Sequence, residues 1–449
     1  MASSDWVTSD NSALFTDLYQ LTMLQAYHRE GMGEPAVFDL FIRRLGRRNF
    51  VLACGLDTVL DYLEELHFSE ESLAFLASTG KFDSSFLAYL EGFRFSGSVY
   101  AVREGTPIFP DEPILEVVAP IAEAQLVETF LLNQITFQTN VATKASLVRL
   151  AAGERTVADF GMRRMHGADA ALKAARAFHI AGLDSTSNVL AGQVYGIPTT
   201  GTMAHSYIEA HGSEEDAFRA FASFYDDAVL LVDTYDTLEG IRKIARLAKE
   251  GGAEFRIGGV RLDSGDLAEL ARESRRILDA EGLQHVRILA SGSLDEHEIS
   301  RLLEGGAPID GFGVGTRMGT IADQPYLDSV YKLSAYAGKP RMKLSTEKST
   351  LPGRKQIYRS YQAGIATHDV ISTADERLEG RPLLETVMES GTRMETSRFS
   401  LDEIRDYSRE ELSVLPSRLL SLVPDDRPYE VRLSEGLKQL LDETRAALQ

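Results

Sequence analysis

The stretch Ile257-Gly-Gly-Val-Arg-Leu-Asp-Ser-Gly-Asp266 sets the reading of this chain. A short apolar strand runs directly into an arginine, two aspartates and a glycine. The same arrangement recurs on both sides of it. Strand cores lie near Val157, Leu183, Thr199, Val229, Ile257, Val286 and Ile309, at intervals of roughly 16–30 residues with helical patterns between them. Such alternation implies parallel strands joined by crossover helices, either an α/β barrel or a doubly wound sheet. The residues that follow the strands separate the two. They read Asp159-Phe-Gly-Met-Arg-Arg164, Asp184-Ser-Thr-Ser187, Gly201-Thr-Met-Ala-His-Ser206, Asp233-Thr-Tyr-Asp236, Arg261-Leu-Asp-Ser-Gly-Asp266, Ser291-Gly-Ser293 and Gly311-Phe-Gly-Val-Gly-Thr316. Every strand ends in polar or glycine-rich chemistry. A barrel gathers all such ends on one face, whereas a doubly wound sheet concentrates ligands at a single switch point. The pattern favours the barrel.

Outward from this core the chain is less regular. On the N-terminal side, Thr16 is a plausible cap for a helix reaching Tyr27, with Gly31 and Gly33 ending it. Ala36 to Ile42 reads as a strand, and the basic residues Arg43, Arg44, Arg47 and Arg48 follow. Ser98 to Val102 and Ile114 to Val118 read as paired strands, and Ile121 to Leu150 as a long helical stretch. Beyond Tyr331 a second basic region carries Lys339, Arg341, Lys343, Lys348, Arg354 and Lys355. Strands are expected at Ile365 to Ile371 and Pro382 to Met388, and helices at Ser400 to Leu412 and Leu433 to Leu448. The expected division is an N-terminal domain with lead-in helix (1–150), a barrel (151–335) and a C-terminal segment (336–449).

The chain has 449 residues, 44% of them hydrophobic and 25% charged, a globular composition. Its formal net charge of −20 repels nucleic acid and anionic membrane. The single cysteine, Cys54, rules out an internal disulfide, and there is no zinc-type spacing. With a polar N-terminus and only short apolar runs, the expectation is a soluble cytoplasmic protein with no membrane partner.

In so acidic a chain, clustered arginines suit a small polyanion, because guanidinium forks match phosphate and carboxylate. Arg163 and Arg164 lie at a strand end beside Phe160, which either stacks on a planar ring or packs in the core. The glycine runs at Ser291–Ser293 and Gly311–Thr316 occupy the late strand ends where barrels hold phosphate. Neither a Rossmann nor a Walker glycine pattern occurs. His205 stands alone at a strand end, as a nucleophile or acid/base group or as an ordinary hydrogen-bonded histidine. Asp263 and Asp266 suit Mg²⁺ held through phosphate oxygens, and Asp266 equally suits a helix N-terminal charge.

Taken in order, Thr16-Asp-Leu-Tyr-Gln-Leu-Thr-Met23, Asp-Phe-Gly-Met-Arg-Arg, Gly-Thr-Met-Ala-His-Ser, Val-Arg-Leu-Asp-Ser-Gly-Asp, Gly-Phe-Gly-Val-Gly-Thr and the Lys343-Leu-Ser…Lys348…Pro-Gly segment resemble the nicotinate phosphoribosyltransferases. The resemblance covers most of the chain. It implies an irregular α/β barrel with an N-terminal α/β sandwich domain completed by C-terminal segments, working as a homodimer with shared active sites. It implies nicotinate and phosphoribosyl pyrophosphate as substrates, with ATP as co-substrate and Mg²⁺ as cofactor. By motif, His205 resembles a transiently phosphorylated histidine, and Phe160 with Arg163 a ring-stacking and anion-binding pair. Tyr19 resembles an aromatic supplied by the partner subunit. Arg261 and Asp263 resemble residues that meet substrate anion and ribose or Mg²⁺. Gly313 and Gly315 match a phosphate turn, and Lys343 and Arg43–Arg44 resemble cross-subunit phosphate contacts. Asp184 and Thr202, from two of the quoted segments, complete the expected substrate-binding set.

Nicotinamide and quinolinate phosphoribosyltransferases are the near alternatives. The adjacent Arg164 leans towards a substrate carrying one carboxylate. A phosphosugar aldolase or isomerase barrel needs a lysine or carboxylate base at a strand end, and none of the quoted ends has a lysine. A phosphosugar-binding barrel without transferase activity would have no use for His205, Asp263 and Arg261. The segment Val229-Leu-Leu-Val-Asp-Thr-Tyr-Asp236 superficially resembles an acidic pyrophosphate motif of type I phosphoribosyltransferases, but lacks its doubled acid and reads as coincidence.

Overall fold

A computed structural model describes residues 6–252, 255–344 and 350–449. Lys348, counted in the second basic region, lies outside the described residues. The chain forms two compact units, residues 141–325 and residues 1–140 with 326–449.

In the 141–325 unit, six parallel strands form one sheet. Their spatial order is Ser185–Thr186, Thr156–Asp159, Gly311–Val314, Arg287–Ser291, Ile257–Leu262 and Ala228–Leu231. The first and last strands in sequence therefore lie side by side, with Val314 opposite Asp159. Every other neighbour in the sheet is also a sequence neighbour. This cyclic order belongs to a barrel and excludes a doubly wound sheet. The ladder is interrupted at one seam. Thr199 makes only an isolated parallel bridge to Thr186, and among the described residues no ladder links it to Ala228–Leu231. The expected strand around Thr199 is thus a single bridge, and the barrel is irregular at that point.

The helices between strands are amphipathic and mostly capped by side chains. Asp236, Asp266 and Asp295 each accept a backbone N–H three residues on, opening the helices Thr237–Gly251, Leu267–Ala280 and Glu296–Glu304. Asp266 is therefore a helix cap, the simpler of its two readings. Two strands begin later than their apolar cores suggested. Leu183 and Val286 precede Ser185–Thr186 and Arg287–Ser291, so Asp184 lies before its strand rather than after it. Its carboxylate accepts the Val157 N–H at 2.8 Å and pairs with Arg149 at 3.2 Å.

The other unit holds a seven-stranded antiparallel sheet. Pro35–Ile42 sits between Ser329–Tyr336 and Pro113–Pro120, and Ser98–Ala101 pairs with Glu385–Glu389. N- and C-terminal segments thus share one sheet and one apolar core, which includes Leu40, Val117, Phe86, Tyr331 and Met388. The expected helix near Thr16 is Leu18–Glu30, and Asp17 rather than Thr16 stands at its N-cap. Gly31 ends it with φ 68°, a conformation that suits glycine. The helical stretch after Pro120 breaks into Ile121–Leu126 and Glu128–Ala152.

Candidate active site

A cavity of about 570 Å³ occupies the barrel, lined by residues that include Phe160, Asp184, Thr202, Arg261, Ser291 and Gly313. Small side chains keep it open, among them Ala158 and Ala290.

The aromatic wall is built from two strand ends. Asp159 is buried and holds the Gly161 N–H and the Thr186 hydroxyl, each at 2.7 Å. Burial pushes its carboxyl pKa up, and these two donors counter the shift. Next along the chain, the Phe160 N–H donates to Val314 O at 2.8 Å, which fixes the backbone below the ring. The ring then lies over Gly313: a Cβ placed there would come within 2.4 Å of two ring carbons. A Cβ on Gly315 would meet the Phe160 carbonyl oxygen at 2.9 Å. In this structure, then, the glycines of Gly-Phe-Gly-Val-Gly make room for Phe160 and its backbone.

Arg261 lines the same cavity as that ring, and Arg163 lies within electrostatic reach of Arg261. Arg163, exposed on the short 3-10 turn Met162–Arg164, is close enough to Arg261 to depress its pKa. Burial is the larger cause of that depression, and Asp263 and Asp233 oppose it. The guanidinium stays charged at neutral pH. It donates to Thr202 Oγ1 at 2.5 Å, while its buried Nε has no partner among the described residues. Two mutually repelling arginines, one with an unused donor, favour an anion between them.

On the acidic side, Ser291 Oγ donates to Asp263 Oδ1. Asp233 Oδ2 accepts the Asp263 N–H at 3.0 Å and the Ser264 hydroxyl at 2.6 Å. Asp233 Oδ1 is buried without a partner among the described residues. Asp233 stands among the quoted strand ends but outside the expected site residues. Its position at a strand end, like that of Asp263, was the available signal. Among the described residues no three His, Cys, Asp or Glu side chains gather as a metal cage. Mg²⁺ commonly needs no cage, only one or two carboxylates with substrate phosphates and water. Asp263, with the orphaned oxygen of Asp233, fits that role.

His205 opens the short helix His205–Glu209, and its Nδ1 is 3.1 Å from Thr234 Oγ1. That contact orients the ring, and Nε2 has no protein partner among the described residues. The imidazole thus keeps one nitrogen available for chemistry.

The remaining expected residues belong to the other unit. Tyr19 is half-exposed, and its hydroxyl accepts from Gln20 at 2.7 Å. Burial, together with Glu128 and Asp17, raises its phenol to about 12. Arg43 follows Pro35–Ile42, with its backbone N–H bonded to Asp328 O. Lys343 is exposed, and its N–H donates to Thr350.

Family models describe matching domains along the chain. The nicotinate phosphoribosyltransferase N-terminal domain matches residues 14–136, the nicotinate phosphoribosyltransferase family model 156–349, and the C-terminal domain 377–441. A nicotinate phosphoribosyltransferase of Mycobacterium tuberculosis is 49% identical over 426 residues, covering 95% of this chain and 92% of that protein. The Bacillus subtilis nicotinate phosphoribosyltransferase is 44% identical over 359 residues, covering 78% of this chain and 73% of that one. Among solved structures, the human nicotinic acid phosphoribosyltransferase superposes with a TM-score of 0.85 at 30% identity, covering 95% and 99% of the two chains. On the barrel topology, the site and these matches together, the chain belongs to the nicotinate phosphoribosyltransferase family.

Proposed function

We propose that this chain joins nicotinate to phosphoribosyl pyrophosphate, giving nicotinate mononucleotide and pyrophosphate, and couples this to ATP hydrolysis through His205. The observation that carries the reading is the barrel cavity that Phe160 and Arg261 line together, with Arg163 within electrostatic reach of Arg261. That arrangement suits a flat ring bearing one carboxylate and a phosphorylated partner. The pyridine nitrogen attacks the anomeric carbon, the bond to pyrophosphate breaks, and the leaving group takes the electron pair. No protein base is required, because the nucleophilic lone pair carries no proton. Phe160 holds the ring plane, Arg163 binds the carboxylate, and Arg261 with Thr202 meets the phosphates. Positioning of this kind supplies much of the barrier reduction. Mg²⁺ held by Asp263 and Asp233 would neutralise charge developing on pyrophosphate.

Asp184 stays in the proposed substrate set as a cavity-lining residue, and its Oδ2 also braces the barrel wall through Val157 and Arg149. Tyr19, Arg43 and Lys343 are proposed to act across a two-fold homodimer, each reaching the partner's barrel. No helix among the described residues is long and apolar enough to cross a membrane. With one buried cysteine and a net charge of −20, the reading assigns the enzyme to the cytoplasm.

ATP labelled at the γ-phosphate tests the histidine. Wild type should gain an acid-labile, base-stable label, and nicotinate mononucleotide formation should rise with ATP. His205→Ala should lose the label and the ATP stimulation while a slow ATP-independent transfer survives. Label persisting in His205→Ala, or surviving acid, would remove His205 from the mechanism. Nicotinate, nicotinamide and quinolinate compared in the same assay identify the base used.

A further inference from the structure

We infer that Lys144 is a positioning residue that holds two strained turns of the barrel in the register phosphoribosyl pyrophosphate requires. The inference rests on the transferase reading above. Lys144 projects from Glu128–Ala152 into the interior, where its side chain is 2% exposed. Its Nζ lies 2.7 Å from Glu296 Oε1 and 2.8 Å from Asp323 Oδ1. Glu296 opens the helix Glu296–Glu304 just after the turn that follows Arg287–Ser291, and Asp323 lies in the turn after the short helix Thr316–Gly319 that follows the adjacent strand Gly311–Val314. The first turn follows directly on Ser291, which holds Asp263. The short helix before the second turn starts after Gly315, which lies under the Phe160 backbone.

Both turns are strained. Ser293 has φ 53° and Ile321 has φ 48°, and among the described residues no other non-glycine residue of the barrel unit has a left-handed backbone. For a β-branched isoleucine that conformation is a genuine outlier, which persists only if the surroundings hold it. Lys144 grips each turn just beyond its strained residue: Glu296 lies three residues after Ser293, and Asp323 two after Ile321. Arg317 and Asp295 tie the turns to each other at 2.8 Å. Three carboxylates thus face two cations. Glu296 is fully buried, and its Oε2 has no hydrogen-bond partner among the described residues. A buried ion pair is a poor way to gain stability alone, since well-packed apolar side chains often do as well. Its geometric effect here is definite: one ammonium sets the spacing of two turns that face the same substrate.

The test uses the full-length enzyme with Lys144→Met, Lys144→Arg and Asp323→Asn. KM for phosphoribosyl pyrophosphate is measured at saturating nicotinate, and KM for nicotinate at saturating phosphoribosyl pyrophosphate, with folding followed by circular dichroism and melting. Lys144→Met should raise the KM for phosphoribosyl pyrophosphate about tenfold or more, and that for nicotinate by a smaller factor, passed on through Gly315 beneath the Phe160 backbone. Lys144→Arg should restore most of the loss, and Asp323→Asn should fall between. A purely structural lysine would lower the melting temperature and leave both KM values unchanged, which would overturn the inference. Should Lys144→Met fail to fold, an unchanged KM in Asp323→Asn would overturn it equally. Calorimetric binding of phosphoribosyl pyrophosphate to the same variants reads the effect without turnover. A wild type that forms no nicotinate mononucleotide would refute the transferase reading, and unaltered calorimetric affinity in the variants would refute this one.

Discussion

Gly313→Ala is the smallest change that tests whether Phe160 is the bed for the substrate ring. The new Cβ would sit 2.4 Å from both Cδ2 and Cε2 of Phe160. Carbon atoms rest at about 3.5–4.0 Å, so the ring must retreat by about 1 Å or more. The backbone cannot carry it away, because the Phe160 N–H is bonded to Val314 O and its carbonyl lies against Gly315. The side chain must therefore rotate, and the overpacking should cost about 1–3 kcal/mol of stability. A displacement of about 1 Å in a positioning group costs on the order of 10²-fold in rate. Steady-state formation of nicotinate mononucleotide should show kcat/KM for nicotinate falling by about that factor. Adding Phe160→Ala should recover the lost stability without recovering the activity. A Gly313→Ala enzyme within about threefold of wild type would refute the stacking role.

Arg163→Ala should weaken nicotinate use by about 1.5–3 kcal/mol in kcat/KM, the usual worth of a hydrogen bond to a charged group, with little change in melting temperature because Arg163 is exposed. Equal use of nicotinate and nicotinamide by the wild type would contradict the carboxylate role. Asp233→Asn, which leaves the Asp263 loop one weaker acceptor, should raise the Mg²⁺ concentration for half-maximal activity. An unchanged Mg²⁺ dependence would confine Asp233 to bracing the loop. Tyr19→Ala subunits and His205→Ala subunits that no longer respond to ATP, mixed and reassembled, should regain part of the ATP-stimulated activity through hybrid dimers. Verified hybrids that show no such gain would mean self-contained subunits.

The barrel was legible because its repeating signal is local: an apolar run, then polar or glycine-rich residues, then a helix. The errors arose where the strand itself is minimal. Ser185–Thr186 spans two residues and Thr199 makes one bridge, so apolarity alone points to Leu183 as the strand core and Asp184 as its end. The Gly313–Phe160 contact was illegible for another reason. The two positions are far apart in sequence, and only strand pairing between Gly311–Val314 and Thr156–Asp159 brings them together. A glycine run that looked like a phosphate cradle is, at Gly313, the space for a ring. Asp233 was visible at its strand end, but its value depends on the Asp263 N–H and the Ser264 hydroxyl, which the fold supplies.

The interrupted seam between Thr199 and Ala228–Leu231 has a mechanical consequence. A barrel with a complete ladder is a stiff hoop, in which any wall segment moves only by breaking several hydrogen bonds at once. Here the hoop is split, and the split falls on the segment that carries Thr202 and His205. That segment is tied to the barrel by Thr200 N–H to Thr186 O at 2.9 Å and by single side-chain contacts to Arg261 and Thr234. With the Thr186 N–H to Pro198 O bond at 3.0 Å, these few contacts stand where the other strands have continuous ladders. Amide hydrogen exchange should therefore show residues 201–204 opening far more readily than the neighbouring strands, as a local event uncoupled from global unfolding. A side chain mounted on the compliant side of a split ring changes position without the barrel having to deform.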